Sequence, residues 1–246
     1  MSVDTVVSSH QNQDLLRVSA LTKRYADQVV LDDVAFSVQA GEVLGLIGPN
    51  GAGKTTLLES LAGLLPVDSG AVVWRGEPVA VARRRNGIFY LPDGVRPWQD
   101  QYVQRVLAFF AAVYGRSETQ VSSAAQAAGL MPVIAKRVHA LSKGYARRLM
   151  WTLALLAPHQ LLLMDEPFDG FDLRQTREMM QVLRDVVAAG RTLVLSIHQL
   201  NDAEQVCDRF VLLADGRVRG VGTLDELRAK TGRASARLEE VFLALT

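Results

Sequence analysis

The chain has 246 residues, 27 Lys and Arg against 26 Asp and Glu for a formal charge of +1, and 49% of it is apolar. This length supplies a proper hydrophobic core, as one large domain or a core with a smaller lobe, and with that composition it excludes a disordered chain and a small stapled scaffold. The balanced charge gives no argument for a nucleic-acid binder, and the single cysteine, Cys207, cannot form an internal disulfide and fits a reducing compartment as a small core hydrophobe.

Residues 1–15 read as a flexible lead-in: Met1 to Asp14 is polar, with neither the basic nor the apolar region of a secretory signal, so the chain is expected in the cytoplasm. From Leu16 to Val38 a Val-rich alternation with a polar loop near Asp27 predicts short antiparallel strands. Glu42 to Ile47 is a compact apolar run without alternation, as expected of a strand covered on both faces. It stops at Gly48, and helical spacing resumes from Lys54 to Leu64. Val72 to Trp74 and Gly87 to Leu91 read as further strands, with Arg83-Arg84-Arg85 between them as a solvated surface run.

Between Gln101 and Leu141 the composition turns to Ala, Gln and Ser at helical spacing, which predicts a helical lobe over about residues 95–160. A helix follows Lys143-Gly144 to Ala157, apolar on nearly every face from Leu149 onward. Pro158-His159-Gln160 splits the uncharged stretch Leu149 to Met164, so neither half is long enough to span a bilayer. Leu161 to Met164 and Thr192 to Ile197 are short apolar strands joined by a helix over Asp172 to Ala189, which makes a parallel βαβ unit. Two amphipathic helical stretches flank Arg233-Ala234 in the tail, residues 226–246.

Chemistry enters at Gly48-Pro49-Asn50-Gly51-Ala52-Gly53-Lys54-Thr55-Thr56, which matches the P-loop pattern and sits after a buried strand and before a helix. Its glycines let backbone N–H groups curl around phosphate oxygens. The helix N-terminus adds positive partial charge, Lys54 reaches the outer phosphates and Thr55 offers a hydroxyl to Mg2+. Asp165-Glu166 ends one core strand and His198 follows another. Both positions fall on the rim where ligands bind in open α/β sheets. One carboxylate is placed to hold Mg2+ and the next to act on water.

The order of these motifs, with Leu141-Ser142-Lys143-Gly144-Tyr145 and Gly170-Phe171-Asp172 between them, resembles the ATP-binding cassette of ABC transporters over residues 16–225. The resemblance implies an α/β fold: a RecA-like P-loop NTPase core with a mainly parallel sheet, an antiparallel β-subdomain and an inserted helical subdomain. It implies ATP and Mg2+ as ligands, with residues 48–56 cradling the phosphates and Tyr25 stacking on adenine. Thr55 and Asp165 become the metal residues, Glu166 the general base and His198 the γ-phosphate switch. Ser142 and Gly144 match the signature that binds nucleotide held by a second cassette, with Lys143 between them in the binding set, and Asp172 matches the acid at that contact. The partners implied are a membrane permease and a second copy, with the chain peripheral on the inner face of the cell membrane; nucleic acid is not among them.

Two motifs depart from the commonest pattern. The signature carries Lys143 and Tyr145 where a second Gly and a Gln are usual. That variant and the tail Leu238 to Leu245 look like the ABC-2 exporter branch, which favours export over import. Asp93 stands where a glutamine normally contacts Mg2+, which makes it the third expected metal residue beside Thr55 and Asp165, and Pro92-Asp93-Gly94 also reads as a simple turn. Two alternatives stay open: a soluble ABC ATPase outside transport, and a regulatory cassette that binds nucleotide with little hydrolysis.

Overall fold

A computed structural model describes residues 14–246. The Val-rich alternation becomes a hairpin of β1 (Asp14–Tyr25) and β2 (Gln28–Gln39), turning at Ala26-Asp27. There follow β3 (Val43–Ile47), α1 (Lys54–Ala62), β4 (Ser69–Trp74), β5 (Glu77–Pro78), the short α2 (Val81–Arg84) and β6 (Ile88–Leu91). The helical lobe contains α3 (Val103–Tyr114), α4 (Glu118–Ala127) and α5 (Lys143–Leu156). Then come β7 (Leu161–Asp165), α6 (Leu173–Ala188), β8 (Thr192–Ser196), α7 (Leu200–Val206), β9 (Arg209–Ala214), β10 (Arg217–Gly222), α8 (Leu224–Thr231) and α9 (Leu238–Leu245).

Two sheets result. The first, β2-β1-β4-β5, is antiparallel; the second runs β10-β9-β3-β8-β7-β6, with all neighbours parallel except the edge strand β10. The mainly parallel sheet and the antiparallel β-subdomain are therefore as expected. The absence of alternation in the core strands has a direct cause. β3 sends Leu44 and Leu46 into a core shared with α1 and the antiparallel sheet, and Val43 and Ile47 into a second core shared with the helical lobe. β7 does the same with Leu161 and Leu163 against Leu162 and Met164. A strand between two cores has no solvent face and needs no polar residue. All five residues of each of β3, β7 and β8 are buried.

α5 carries this packing to the rim. Its residues from Leu149 to Ala154 are buried, and the Trp151 indole donates to the Pro167 carbonyl at 2.9 Å while its ring stacks on Phe168. The helix that begins beside Ser142 is thus pinned to the loop that follows Glu166.

Two expectations are corrected. Arg83 and Arg85 are exposed, but Arg84 is 5% exposed and its guanidinium donates to the Ser60 carbonyl at 2.6 Å. The last carbonyls of a helix lack intrahelical partners and carry negative partial charge, so a buried cation is stabilised there. The lead-in over residues 1–15 lies outside the described residues except at its end, where Asp14 and the buried Leu15 belong to β1. Cys207 is partly buried beside the second core, its thiol packed toward Gly45, and burial pushes the thiol pKa up.

Candidate functional site

The loop between β3 and α1 is built from close approach and unusual backbone. A Cβ on Gly48 would stand 2.3 Å from the Leu213 carbonyl oxygen, so no other residue fits without moving β9. Gly53, at φ 99°, sits ahead of α1 and offers no side-chain cap, which leaves the first N–H groups of the helix free to meet an anion. Lys54 is buried, and its ammonium donates to the Gly48 and Pro49 carbonyls at 2.8 and 3.2 Å, inside the loop.

Beside it, the Thr55 hydroxyl donates to Asp165 Oδ2 at 2.7 Å, and Asp165 is 4% exposed. Two hard oxygen donors side by side fit Mg2+, which takes one or two carboxylates and completes its shell with phosphate and water. Among the described residues no three His, Cys, Asp or Glu side chains converge on a metal, so a site of the fully protein-built kind is absent there.

Glu166, immediately after β7, adopts φ 45°, and its backbone N–H donates to the Ser196 carbonyl. Its two carboxylate oxygens accept from His198 Nδ1 at 2.6 Å and from the Ser196 hydroxyl at 3.4 Å. A cavity of about 330 Å3 is lined by the loop, with Lys54, Thr55 and Thr56, and by Asp93, Asp165 and Glu166; Val30 of β2 closes one side. The rim residues picked from the sequence therefore converge.

The remaining predicted residues lie elsewhere. Tyr25, at the hairpin turn, is 47% exposed, and Lys23 sits 5.2 Å from its ring centroid. Ser142 caps α5, its hydroxyl accepting from Tyr145 N at 3.3 Å, and Asp172 caps α6 by accepting from Gln175 N at 2.8 Å. Gly144 packs toward Gly170 O and Gln175. Lys143 pairs with Asp169 at 2.8 Å and lines a second cavity, of about 280 Å3, with Asp93 and Arg147.

Three participants were missed. Arg147 pairs with Asp93, a partner that no local spacing announces across 54 residues. Asp169 closes the second cavity; its carboxyl is held below the ordinary range, first by the hydrogen bond from Lys143. The Tyr90 hydroxyl is buried with no hydrogen-bond partner among the described residues, and burial, with the Asp165, Glu59 and Asp93 carboxylates adding to it, pushes its pKa up. Its position beside Pro92-Asp93 was the one signal available.

The family model described as ABC transporter matches residues 31–169. Nod factor export ATP-binding protein I of Mesorhizobium japonicum is 36% identical over 205 residues, 81% of this chain and 60% of that protein. The match thus spans less than two thirds of that relative's length. An uncharacterized ABC transporter ATP-binding protein of Methanocaldococcus jannaschii is 30% identical over 219 residues, 87% of this chain and 80% of the relative. A solved structure of an ATP binding subunit of an ABC transporter superposes with a TM-score of 0.83 at 30% identity, covering 94% of this chain and 99% of that one. A bacterial Atm1-family ABC exporter with ATP bound shares the fold, with a TM-score of 0.81 at 22% identity over 94% of this chain and 42% of the exporter. With its P-loop, its rim carboxylates and this fold, the chain belongs to the ABC transporter family as one of its ATP-binding cassettes.

Proposed function

We propose that the chain hydrolyses ATP to power export through a separate membrane permease. Residues 48–56 take the triphosphate on the free N–H groups of α1 and on Lys54, while Thr55 and Asp165 hold Mg2+, which shields phosphate charge when bound. Glu166 accepts the proton of the attacking water. His198 holds that carboxylate in place at 2.6 Å, and Ser196 supports its other oxygen. One observation carries the reading: a carboxylate fixed by two neighbours opens onto the same cavity as the P-loop lysine and the Thr55–Asp165 pair.

Of residues 142–144, Lys143 lines the second cavity and none lines this one, which supports a second copy supplying them to the nucleotide. No helix among the described residues is long and apolar enough to cross a membrane, so these residues contain no helical pathway for cargo. The names of the Nod factor relatives support export, and docking on the inner face of the membrane follows from that reading. The intact Glu166–His198 pair favours hydrolysis over a purely regulatory cassette.

Glu166→Gln keeps the shape of the site and removes the base. We expect nucleotide binding to persist and steady-state phosphate release to fall by about 100-fold or more. Phosphate release at the wild-type rate would refute the assignment.

A further inference from the structure

Lys143 and Arg147 stand one turn apart on α5, and each reaches a carboxylate on a different rim loop. Lys143 meets Asp169 in the loop after β7. Arg147 pairs with Asp93 in the loop after β6, and its Nε donates to the Asp169 carbonyl at 3.3 Å. The Arg147 side chain is 8% exposed and that of Asp93 46%. Asp93 lines both cavities: on one side stand Lys54, Thr55, Asp165 and Glu166, on the other Lys143, Arg147 and Asp169.

Two costs oppose moving this carboxylate toward a metal. A buried guanidinium that gives up Asp93 loses its one carboxylate hydrogen bond and keeps only the long bond to the Asp169 carbonyl and the field of the Asp169 carboxylate. An unpaired Asp93 would also add a third carboxylate to a cavity that already holds Asp165 and Glu166 and is assigned a polyanion. Both costs vanish while the pair is made.

Resting on the ATP-binding reading above, we propose that Arg147 is a positioning residue whose ion pair withdraws Asp93 from the metal and straps the Ser142 end of α5 to the rim of the nucleotide cavity. The strap gives the phosphate site and the surface offered to a second copy a fixed relation within one chain.

The test uses wild type, Arg147→Met, Arg147→Lys and the double variant Asp93→Asn/Arg147→Met. Each is titrated with a fluorescent ATP analogue with and without Mg2+, and its ATPase rate is followed across protein concentration. Arg147→Met leaves Asp93 unneutralised, and Mg-nucleotide affinity is expected to fall about tenfold, with Arg147→Lys retaining most of it. Adding Asp93→Asn should bring affinity back to within about twofold of wild type, since an amide repels no phosphate. The double variant should still need about tenfold more protein to reach half-maximal specific activity, because its signature end is no longer strapped.

With both charges gone, the double variant carries the test even where a single variant is unstable. If it binds Mg-nucleotide as weakly as Arg147→Met while Mg-free binding matches wild type, Asp93 is a metal ligand and the proposal fails. An unshifted concentration dependence would remove the strap. Failure of the wild-type protein to bind nucleotide would instead overturn the function on which the proposal rests.

Discussion

Glu166 occupies a left-handed backbone conformation, φ 45°, that costs a non-glycine residue about 1–2 kcal/mol, and the hydrogen bonds from Ser196 and His198 hold it there. The strain turns the chain sharply off β7, so that adjacent residues do different work: Asp165 stays in register opposite Ser196 while Glu166 faces the cavity. Arg84 shows the same dependence on distant partners at a site with no chemistry. Its buried guanidinium bonds the Ser60 carbonyl near the end of α1, and Arg84→Met should lower stability by about 1–2 kcal/mol and the melting temperature by about 2–8 °C. A thermal melt superposing on wild type would show that the contact contributes nothing. Glu166, Asp165 and Lys54 were legible in the sequence because strand ends and a glycine loop mark them locally. The burial of Arg84 was not, since its neighbours Arg83 and Arg85 are solvated and what distinguishes it is a carbonyl 24 residues away.

At the level of elements, the core strands were legible because a strand between two cores shows no polar alternation, its polar residues standing only at its ends, as Thr192, Ser196 and Asp165 do. α5 was legible for the same reason over its buried second half. What fastens its first half was hidden, because ion pairs join it to loops and helices far along the chain: Lys143 to Asp169, and Arg148 to Glu178 at 2.9 Å. Both carboxyls are held below their ordinary values of 3.8 and 4.5, Asp169 first by Lys143 and Glu178 first by Arg148. A folded-state pKa below the unfolded one gives stability that is present above those ordinary values and lost as pH falls through and below them. Solvent screens both pairs, so each is worth under about 1 kcal/mol. Asp169→Asn/Glu178→Gln should therefore melt below wild type at neutral pH, and the gap should narrow as pH falls through and below 4.5 and 3.8, closing at the pH where the wild-type carboxylates are protonated in the folded state as well. A gap of unchanged size at that pH would assign the loss to altered packing.

Across the whole molecule, Lys143 of the signature lines a different cavity from the phosphate loop, which supports the proposal that one chain holds two halves that do not meet. A two-fold pair of copies would bring the loop of each against the signature of the other. Two inactive variants then test the arrangement together. Lys54→Ala disables the loop of its own chain and leaves Ser142 intact; Ser142→Arg blocks the signature and leaves the loop intact. In a mixed pair, the loop of the Ser142→Arg chain faces the signature of the Lys54→Ala chain, and that site is whole. Random pairing in an equal mixture makes half the pairs mixed, each with one working site of two, so ATPase activity should return to about a quarter of wild type. Recovery should grow with total protein concentration, as expected where the active form is assembled from two chains. Were each chain complete in itself, mixing would restore nothing, and the composite site would have to be abandoned while the loop, its metal residues and Glu166 kept their assigned chemistry.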